Sequence, residues 1–295
     1  MKLFAPRYYR EFKCIADKCT HSCCIGWEID IDDDTLKKYD SLDHKYGESI
    51  RKSIEISDTP HFILKKNERC PHLSECGLCE IISNVGEEYL CDICREHPRF
   101  YNTVKDGYEV GLGMACEEAC RIILNSDSYS EFILLEENED EPSTCDFNAQ
   151  ELREQIYSLL SNRQLPYEKR LLQLYEMWNV DPREHSDAEW RSVLSQLEYL
   201  DHAHRELFMH HSSALSSGDK NQLYLERALA YFIYRHCTAA EDENDFSARL
   251  GFCLFCERLL ASVCKDDIFT CARIISEELE YSLDNTFAIM DFFNI

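Results

Sequence analysis

Apolar residues recur at helical spacing through the second half of the chain. In three segments the apolar positions lie three or four residues apart and would share one face of a helix. These positions are Leu152, Ile156, Leu159 and Leu160, then Leu171, Leu174, Tyr175 and Trp178, and then Trp190, Val193, Leu194, Leu197 and Leu200. Ser186 and Glu189 form a capping-box pattern before the third segment. With further amphipathic stretches over roughly 220–237, 246–264 and 267–291, the pattern predicts an all-helical bundle or array.

The first half has little of this periodicity. Residues 1–13 are rich in aromatic and basic side chains and predict a short strand, and the acidic run before Thr35 predicts the start of a helix. Asp106 and Gly107 predict a hairpin turn that leads to a helix beginning at Cys116.

The acidic segment 136–142 is the predicted domain boundary. The predicted domains are therefore residues 1–135, rich in cysteine, and residues 143–295. The fold class is mainly α: an irregular metal- or cluster-binding N-terminal domain with short strands, followed by an all-helical bundle or array.

Cysteines are concentrated in the N-terminal part. Eleven of the 17 lie within residues 1–120, and four of those lie within residues 14–24. Thiols packed this closely in a loop predict a bound metal ion or iron–sulfur cluster. Both zinc and iron–sulfur clusters use thiolate ligands, so the residues leave that choice open. The odd cysteine count and the length of 295 residues argue against a secreted disulfide framework.

The chain is strongly acidic, with a formal net charge of −25. Residues 1–120 hold 16 basic against 23 acidic residues, a net −7, and residues 121–295 hold 15 against 33, a net −18. Such a surface repels phosphate backbones, so we expect no nucleic-acid partner. No segment approaches the about 18 uninterrupted apolar residues that a membrane span requires, and the first residues do not resemble a signal peptide. We therefore expect a cytoplasmic protein without a membrane partner.

Several histidines and cysteines have a simpler interpretation than metal binding. Nearby thiols are in excess, so His21, His72 and His97 are interpreted as supporting or surface groups. The group of histidines His202, His204, His210 and His211 is predicted to lie on the surface. Cys253 and Cys256, within an apolar helical segment, are predicted to pack between helices.

The cysteine pattern resembles that of the flagellin lysine-N-methylase family, which is related to the YkgJ-type cysteine-rich proteins described as zinc- or iron-binding. The resemblance rests on C-x4-C-x3-CC-x-GW, CP-x-L, GLC-x-I, CREHPR and C-x-EA-x-R, and it continues in EQIYSLLSNRQLPYEKRLLQL and EELEYSLDN. Eight cysteines match the family pattern and are thereby implied as ligands: Cys14, Cys19, Cys23, Cys24, Cys70, Cys79, Cys94 and Cys116. Cys76, Cys91 and Cys120 are extra, His97 stands where tyrosine is usual, and the chain is shorter than the family pattern.

The resemblance implies an S-adenosylmethionine-dependent protein lysine N-methyltransferase that acts on flagellin and uses a [4Fe–4S] cluster, with zinc as the alternative metal. The chain lacks a G-x-G-x-x-G loop, so the cofactor must be held in another way. The radical signature C-x3-C-x2-C is also absent, which favours direct attack of a neutral lysine amine on the sulfonium methyl group.

Two residues are predicted to contact the cofactor. Trp27 would stack on its adenine or sulfonium, and Arg99 would pair with its carboxylate. Packing and a structural salt bridge are the simpler explanations of these two residues. No catalytic residue is predicted. The alternative function is a non-enzymatic zinc- or iron–sulfur-binding module with a structural or electron-transfer role.

Overall fold

The computed structural model describes residues 1–105, 107–138, 145–212 and 221–293, and these residues form two compact units. We call Lys13–Pro98 the cysteine unit. We call Met1–Phe12 together with the described residues from Arg99 onward the helical unit. Each unit has an apolar core of its own.

The described residues contain six strands and thirteen α-helices. The strands are β1 (Lys2–Pro6), β2 (Ile54–Glu55), β3 (His61–Phe62), β4 (Arg99–Val104), β5 (Gly107–Leu112) and β6 (Phe132–Glu137). The helices are α1 (Asp33–Ser41), α2 (Gly47–Lys52), α3 (Glu80–Val85), α4 (Asp92–Glu96), α5 (Glu117–Asn125), α6 (Ala149–Leu160), α7 (Tyr167–Trp178), α8 (Asp187–Leu194), α9 (His202–Phe208), α10 (Gln222–Phe232), α11 (Glu243–Val263), α12 (Ile268–Ile275) and α13 (Leu283–Met290). The prediction of a mainly α fold is confirmed.

The two units do not divide where the sequence predicts. The predicted boundary at 136–142 does not separate them, because residues 99–138 belong to the helical unit. The reason is the four-stranded sheet β4-β5-β1-β6, in which β1 pairs in parallel with β5 and antiparallel with β6. Backbone pairing therefore holds the first residues of the chain with residues 99–137. Residues 139–142 of the predicted boundary lie outside the described residues.

The predicted hairpin is confirmed as β4 and β5, which pair from Arg99 with Leu112 to Val104 with Gly107. Asp106 of the predicted turn lies outside the described residues. Gly111 sits where β5 passes under two aromatic rings, because a Cβ there would lie 2.3 Å from Phe100 and 2.6 Å from Tyr234. A glycine at this point therefore lets the sheet pack closely on the helices.

From residue 145 onward the described segments contain helices and no strands, as predicted. Helices α5, α10, α11 and α12 contribute many of the buried side chains of the helical unit, and Trp190 stacks on Phe255 at 4.0 Å between ring centres. Cys253 and Cys256 are fully buried in α11, which confirms their predicted packing role. No described helix combines the length and apolar character that crossing a bilayer requires.

The two predicted helix caps are confirmed. Asp32 caps α1, and Ser186 and Glu189 form the predicted capping box at α8. The third predicted helix is wrong at its end, since α8 stops at Leu194 and Leu200 is 57% exposed. The backbone N–H of Leu200 instead donates to the buried carboxylate of Glu278 at 2.8 Å. This tertiary bond satisfies the N–H without a helical turn.

The predicted surface position of the histidine group is wrong for one member. His211 is 3% exposed and its Nδ1 hydrogen-bonds with Ser262 at 3.0 Å. His204 is also engaged, because its Nδ1 lies 2.5 Å from the buried Glu278 carboxylate. The helices that pack around these rings determine their burial, and sequence spacing gives no sign of it.

Glu257 is a buried acid in the middle of α11. It is 1% exposed, and Tyr167 donates a hydrogen bond to its Oε1 at 3.0 Å. Its Oε2 has no hydrogen-bond partner within the described ranges. Burial raises the pKa of its carboxyl to about 7, against the opposing effect of Arg258.

We expect Glu257→Gln to remove a pH-dependent cost from the folded state. In the wild type the folded chain keeps this proton up to about pH 7, whereas the unfolded chain releases it near pH 4.3. Stability therefore falls between these two pH values and is constant above them, a total loss of about 4 kcal/mol. The amide does not titrate. Urea unfolding should show a stability advantage of the Gln variant over wild type that grows by about 2–3 kcal/mol from pH 5 to pH 8.

The matched control is Glu154→Gln, on the exposed side of α6. Its stability difference from wild type should not change with pH in this range. If the Glu257→Gln difference is equally flat, the carboxyl of Glu257 is ionised in the fold.

Candidate metal centre in the cysteine unit

Short helices and loops bring five cysteines of the cysteine unit near one another. We call Cys24, Cys70, Cys79, Cys91 and Cys94 the cysteine cluster. The backbone N–H of Cys70 donates to the carbonyl of Cys24 at 2.9 Å, which ties the first cysteine-rich loop to the second. The N-cap of α3 is Cys79 and that of α4 is Cys91, and Cys94 lies within α4.

The thiols of the cysteine cluster lie near enough to shift one another's pKa. Negative charge on Cys24 and on Cys91 raises the pKa of Cys79, beyond the larger effect of burial. Burial also raises the pKa of Cys70 to about 12, with Cys24, Cys79 and Cys91 adding to the shift. Thiols that influence one another in this way lie in a common region, since such repulsion falls off with distance.

Two neighbouring pairs within this region share a hydrogen bond. The bond with Cys23 is the largest cause of the lowered pKa of Cys24, which is about 7. The bond with Cys94 likewise lowers the pKa of Cys91, and it raises that of Cys94. In each pair one sulfur is therefore favoured as the thiolate, which is the form that binds a metal.

An apolar shell packs against the cysteine cluster. Ile29, Ile31, Phe62, Leu73, Ile81 and Leu90 are buried against it. Tyr39 is also buried there, and its hydroxyl donates to the carbonyl of Tyr89 at 2.7 Å. Burial and repulsion from Cys91 raise the pKa of Tyr39. This shell limits the access of water to the thiols.

His72 does not face the thiols with a free nitrogen. Its Nδ1 hydrogen-bonds with the Tyr46 hydroxyl at 2.8 Å and its Nε2 with the Ser53 hydroxyl at 2.7 Å. Burial lowers the pKa of its ring to about 4. Both ring nitrogens are thus engaged, which agrees with the interpretation of His72 as a supporting group.

The donor set fits a soft metal or an iron–sulfur cluster, since all five groups are thiols. As the side chains stand, no group of three His, Cys, Asp or Glu residues in the described segments is arranged to hold one metal ion. Ligation by this set would therefore require thiol side chains to turn toward a common centre. Such adjustment is expected where metal binding is coupled to folding.

The other predicted ligands have different surroundings. Cys14 is exposed, and its sulfur accepts from the Ala16 N–H at 3.4 Å. The Cys19 thiol donates to the carbonyl of His21 at 2.7 Å. Both bonds join the sulfur to a backbone group two residues away. Cys116 belongs to the helical unit, where it is the N-cap of α5.

Three curated proteins resemble this chain. The flagellar biosynthetic protein FliU of Salmonella muenchen is 32% identical over 133 residues, which cover 41% of this chain and 75% of that protein. The lysine-N-methylases of Salmonella typhimurium and Salmonella choleraesuis are each 32% identical over 133 residues, again 41% of this chain. The chain belongs to the flagellin lysine-N-methylase family. The matched part spans only 32% of the length of the two lysine-N-methylases. No family model matches the sequence, and no solved structure matches it.

The family pattern does not identify Cys91 as a candidate ligand. It counts as an extra against the family pattern, yet it is 1% exposed and belongs to the cysteine cluster. The signal that could have found it is its C-x2-C spacing from Cys94. That spacing is common among metal ligands.

Trp27 and Arg99, the two residues predicted to contact the cofactor, each bind neighbours in their own unit. The indole Nε1 of Trp27 donates to the carbonyl of Cys23 at 2.6 Å, and its ring lies 6.1 Å from that of His97. The Nε of Arg99 donates to the Tyr9 hydroxyl at 2.8 Å. These contacts fix both side chains in place.

Sequence reasoning also misses a buried acid–imidazole pair. It lies where two π-helical turns, Ile233–Cys237 and Ser276–Glu280, face each other. Glu280 accepts from His236 Nε2 at 2.7 Å and from the Tyr231 hydroxyl at 2.9 Å. The same hydroxyl accepts from the N–H of Met114, two residues before Cys116. Apolar periodicity is unbroken across both turns, so the pattern gave no signal of the pair.

Proposed function

We propose that this chain is an S-adenosylmethionine-dependent protein lysine N-methyltransferase acting on flagellin, with a [4Fe–4S] cluster held by thiols of the cysteine cluster. The observation that carries the proposal is the gathering of five thiols against an apolar shell, in a chain whose relatives are named lysine-N-methylases. Zinc is the alternative occupant. The remaining family-pattern cysteines, Cys14, Cys19, Cys23 and Cys116, stay proposed ligands.

The reaction we propose is a direct displacement. The lysine amine attacks the methyl carbon as the N–C bond forms and the sulfonium S–C bond breaks. The products are S-adenosylhomocysteine and a methylated amine that gives up its proton. The chain must align the amine with the methyl group and exclude water, since positioning supplies much of the rate of such a transfer.

The charge of the chain supports a substrate that presents lysine. A net charge of −25 attracts a basic protein surface and speeds its encounter. Arg99 is proposed to pair with the cofactor carboxylate, and Trp27 is proposed to stack on its adenine or sulfonium. Within the helical unit, the Arg99 Nε donates to the Tyr9 hydroxyl at 2.8 Å, which orients the guanidinium. A guanidinium can bind a carboxylate through charge-assisted hydrogen bonds.

The bound metal is tested first, on full-length protein purified without oxygen. We expect a brown protein with a broad absorption band from sulfur-to-iron charge transfer and iron bound in proportion to the chain. A colourless protein with one equivalent of zinc would contradict the cluster and favour the zinc alternative.

Methyl transfer is tested with the same preparation, S-adenosylmethionine and purified flagellin. We expect flagellin to gain about 14 Da per methyl group, located on lysine by peptide mapping. Flagellin whose lysines have been acetylated is the control and should gain nothing. If metal-loaded protein leaves untreated flagellin unchanged, the proposed enzyme function is wrong for this substrate.

A further inference from the structure

A pocket opens on the surface of the cysteine unit at the carboxyl end of α1. Its volume is about 420 Å³, a size that holds small organic molecules. One wall is the last turn of α1 with the residues after it, and the other is the 3₁₀ turn Glu87–Tyr89. The residues that line the pocket are Lys38, Ser41, Leu42, Asp43, Glu88 and Tyr89.

Hydrogen bonds hold the two walls of the pocket together. The hydroxyl of buried Tyr39, in α1, donates to the carbonyl of Tyr89 at 2.7 Å. The Nζ of Lys38 donates to the carbonyl of Glu88 at 3.4 Å. Because both bonds run from α1 to the 3₁₀ turn, the opening between the walls belongs to the fold of the cysteine unit.

The lining carries both signs of charge, and these charges do not pair with each other. Among the described residues, no ion pair joins Lys38 to Asp43 or to Glu88. The neighbouring Lys37, outside the pocket, does pair, with Asp34 at 3.0 Å. The pocket therefore presents an ammonium group and a carboxylate to whatever enters it.

The rest of the lining is less charged. Leu42 and Tyr89 are half-buried and give the pocket an apolar side. The carboxylate of Glu88 folds back over Gly86, where a side chain would collide with it. Asp43 is therefore the carboxylate that we assign to a ligand.

We propose that this pocket binds the zwitterionic head group of an α-amino acid whose side chain is apolar. The ligand ammonium pairs with Asp43 and the ligand carboxylate with Lys38, through charge-assisted hydrogen bonds. The apolar side chain packs on Leu42 and Tyr89. A purely cationic ligand would be repelled by Lys38 and a purely anionic one by Asp43, so the zwitterion fits this lining best.

This head group has two sources, a free amino acid and the methionyl end of S-adenosylmethionine. The inference does not rest on the proposed function, because a free amino acid can bind here without any methyl transfer. Binding is therefore measured without a protein substrate and without turnover, so that a failure of the pocket and a failure of the proposed reaction are distinct results.

The first test is calorimetric titration of the full-length protein, as purified, with L-leucine and with L-methionine. Two analogues of leucine each lack one charge: 4-methylpentanoate lacks the ammonium, and 3-methylbutylamine lacks the carboxylate. We expect both amino acids to bind and both analogues to bind at least about fivefold more weakly, because each analogue leaves one charged lining group without a partner. Analogues that bind as well as leucine would overturn the proposal.

The second test places the ligand in the pocket by substitution. Asp43→Asn and Lys38→Met should each weaken leucine binding by about two- to fivefold, the effect of losing one exposed ion pair. Asp58→Asn and Lys37→Met make the same changes of charge in the same unit but outside the lining, and should leave binding unchanged. All four residues are exposed, and circular dichroism checks that each variant is folded. If the pocket variants bind like their controls, the ligand lies elsewhere and the proposal is wrong.

The third test separates the two sources by adding saturating S-adenosylmethionine before the leucine titration. Unchanged leucine binding identifies a site for free amino acids. Loss of leucine binding, together with weaker S-adenosylmethionine binding in Asp43→Asn and Lys38→Met, identifies the methionyl end of S-adenosylmethionine as the occupant. No binding of leucine, methionine or S-adenosylmethionine up to about 5 mM would overturn the proposal for both sources.

Discussion

Cys91→Ser is expected to lose its bound metal as completely as Cys94→Ser. Cys91 is buried with the other members of the cysteine cluster, and Cys91 and Cys94 share a hydrogen bond. Serine is a poor ligand for zinc and for iron–sulfur clusters, so either variant should retain less than about a tenth of the wild-type metal. Methyl transfer to flagellin should fall together with the metal content, since the proposed function depends on the cluster. Metal analysis and the flagellin mass assay measure the two effects.

The matched control is Cys76→Ser. Cys76 lies in the same unit and is likewise an extra against the family pattern, but it is exposed and its sulfur contacts the Ser74 hydroxyl at 3.2 Å. We expect wild-type metal content in this variant. If Cys91→Ser also retains wild-type metal while Cys94→Ser loses it, the family pattern describes the ligands better than the geometry of the cysteine cluster. Full retention in both variants would exclude the cysteine cluster as the metal centre.

Local signals predict the start of elements well because their cause is local. Asp32, Ser186 and Cys116 each stand next to the residues whose free N–H groups or first helical turn define the helix start. Helical periodicity similarly identifies α6, α7 and α11, since the buried face of a helix has apolar residues at helical spacing.

Features that depend on distant partners are not predicted. The end of α8 depends on Glu278, which takes the N–H of Leu200 from 78 residues away. The extent of each unit depends on β1 pairing with β5 and β6, more than 100 residues along the chain. The pairing of distant strands does not alter the spacing of apolar residues in either strand. The sequence therefore predicts a short strand in the first residues and does not predict which strands pair with it.

In the candidate site, too, local features are predicted and features that depend on tertiary contacts are not. Sequence spacing identifies the cysteines, since C-x2-C and adjacent thiols are local patterns. It does not rank them: Cys14 is exposed, whereas Cys70 and Cys91 are buried in an apolar core. Burial depends on residues such as Tyr39 and Phe62, which lie outside the cysteine motifs.

Glu109→Ala is expected to be the most destabilising single change in the helical unit that we consider. Glu109 on β5 and Arg153 on α6 form a two-bond ion pair, with Nη1 to Oε2 at 2.6 Å and Nη2 to Oε1 at 2.9 Å. Both side chains are 2% exposed. The alanine leaves the guanidinium buried without its counter-charge, because the remaining bond to Thr238 is to a neutral hydroxyl. We expect the free energy of unfolding to fall by about 3–5 kcal/mol.

The double variant Glu109→Met/Arg153→Met separates the cost of an unpaired charge from the value of the pair. Buried ion pairs contribute little beyond an apolar pair of similar size, since desolvation offsets most of their attraction. The double variant should therefore be more stable than Glu109→Ala, although it lacks the same ion pair. Urea unfolding followed by the fluorescence of Trp178 and Trp190, both in the helical unit, measures each variant. Glu131→Ala, which breaks the exposed pair with Arg7 in the same unit, should leave the midpoint almost unchanged. A double variant as unstable as the single one would show that the pair itself, and not the orphaned guanidinium, holds β5 against α6.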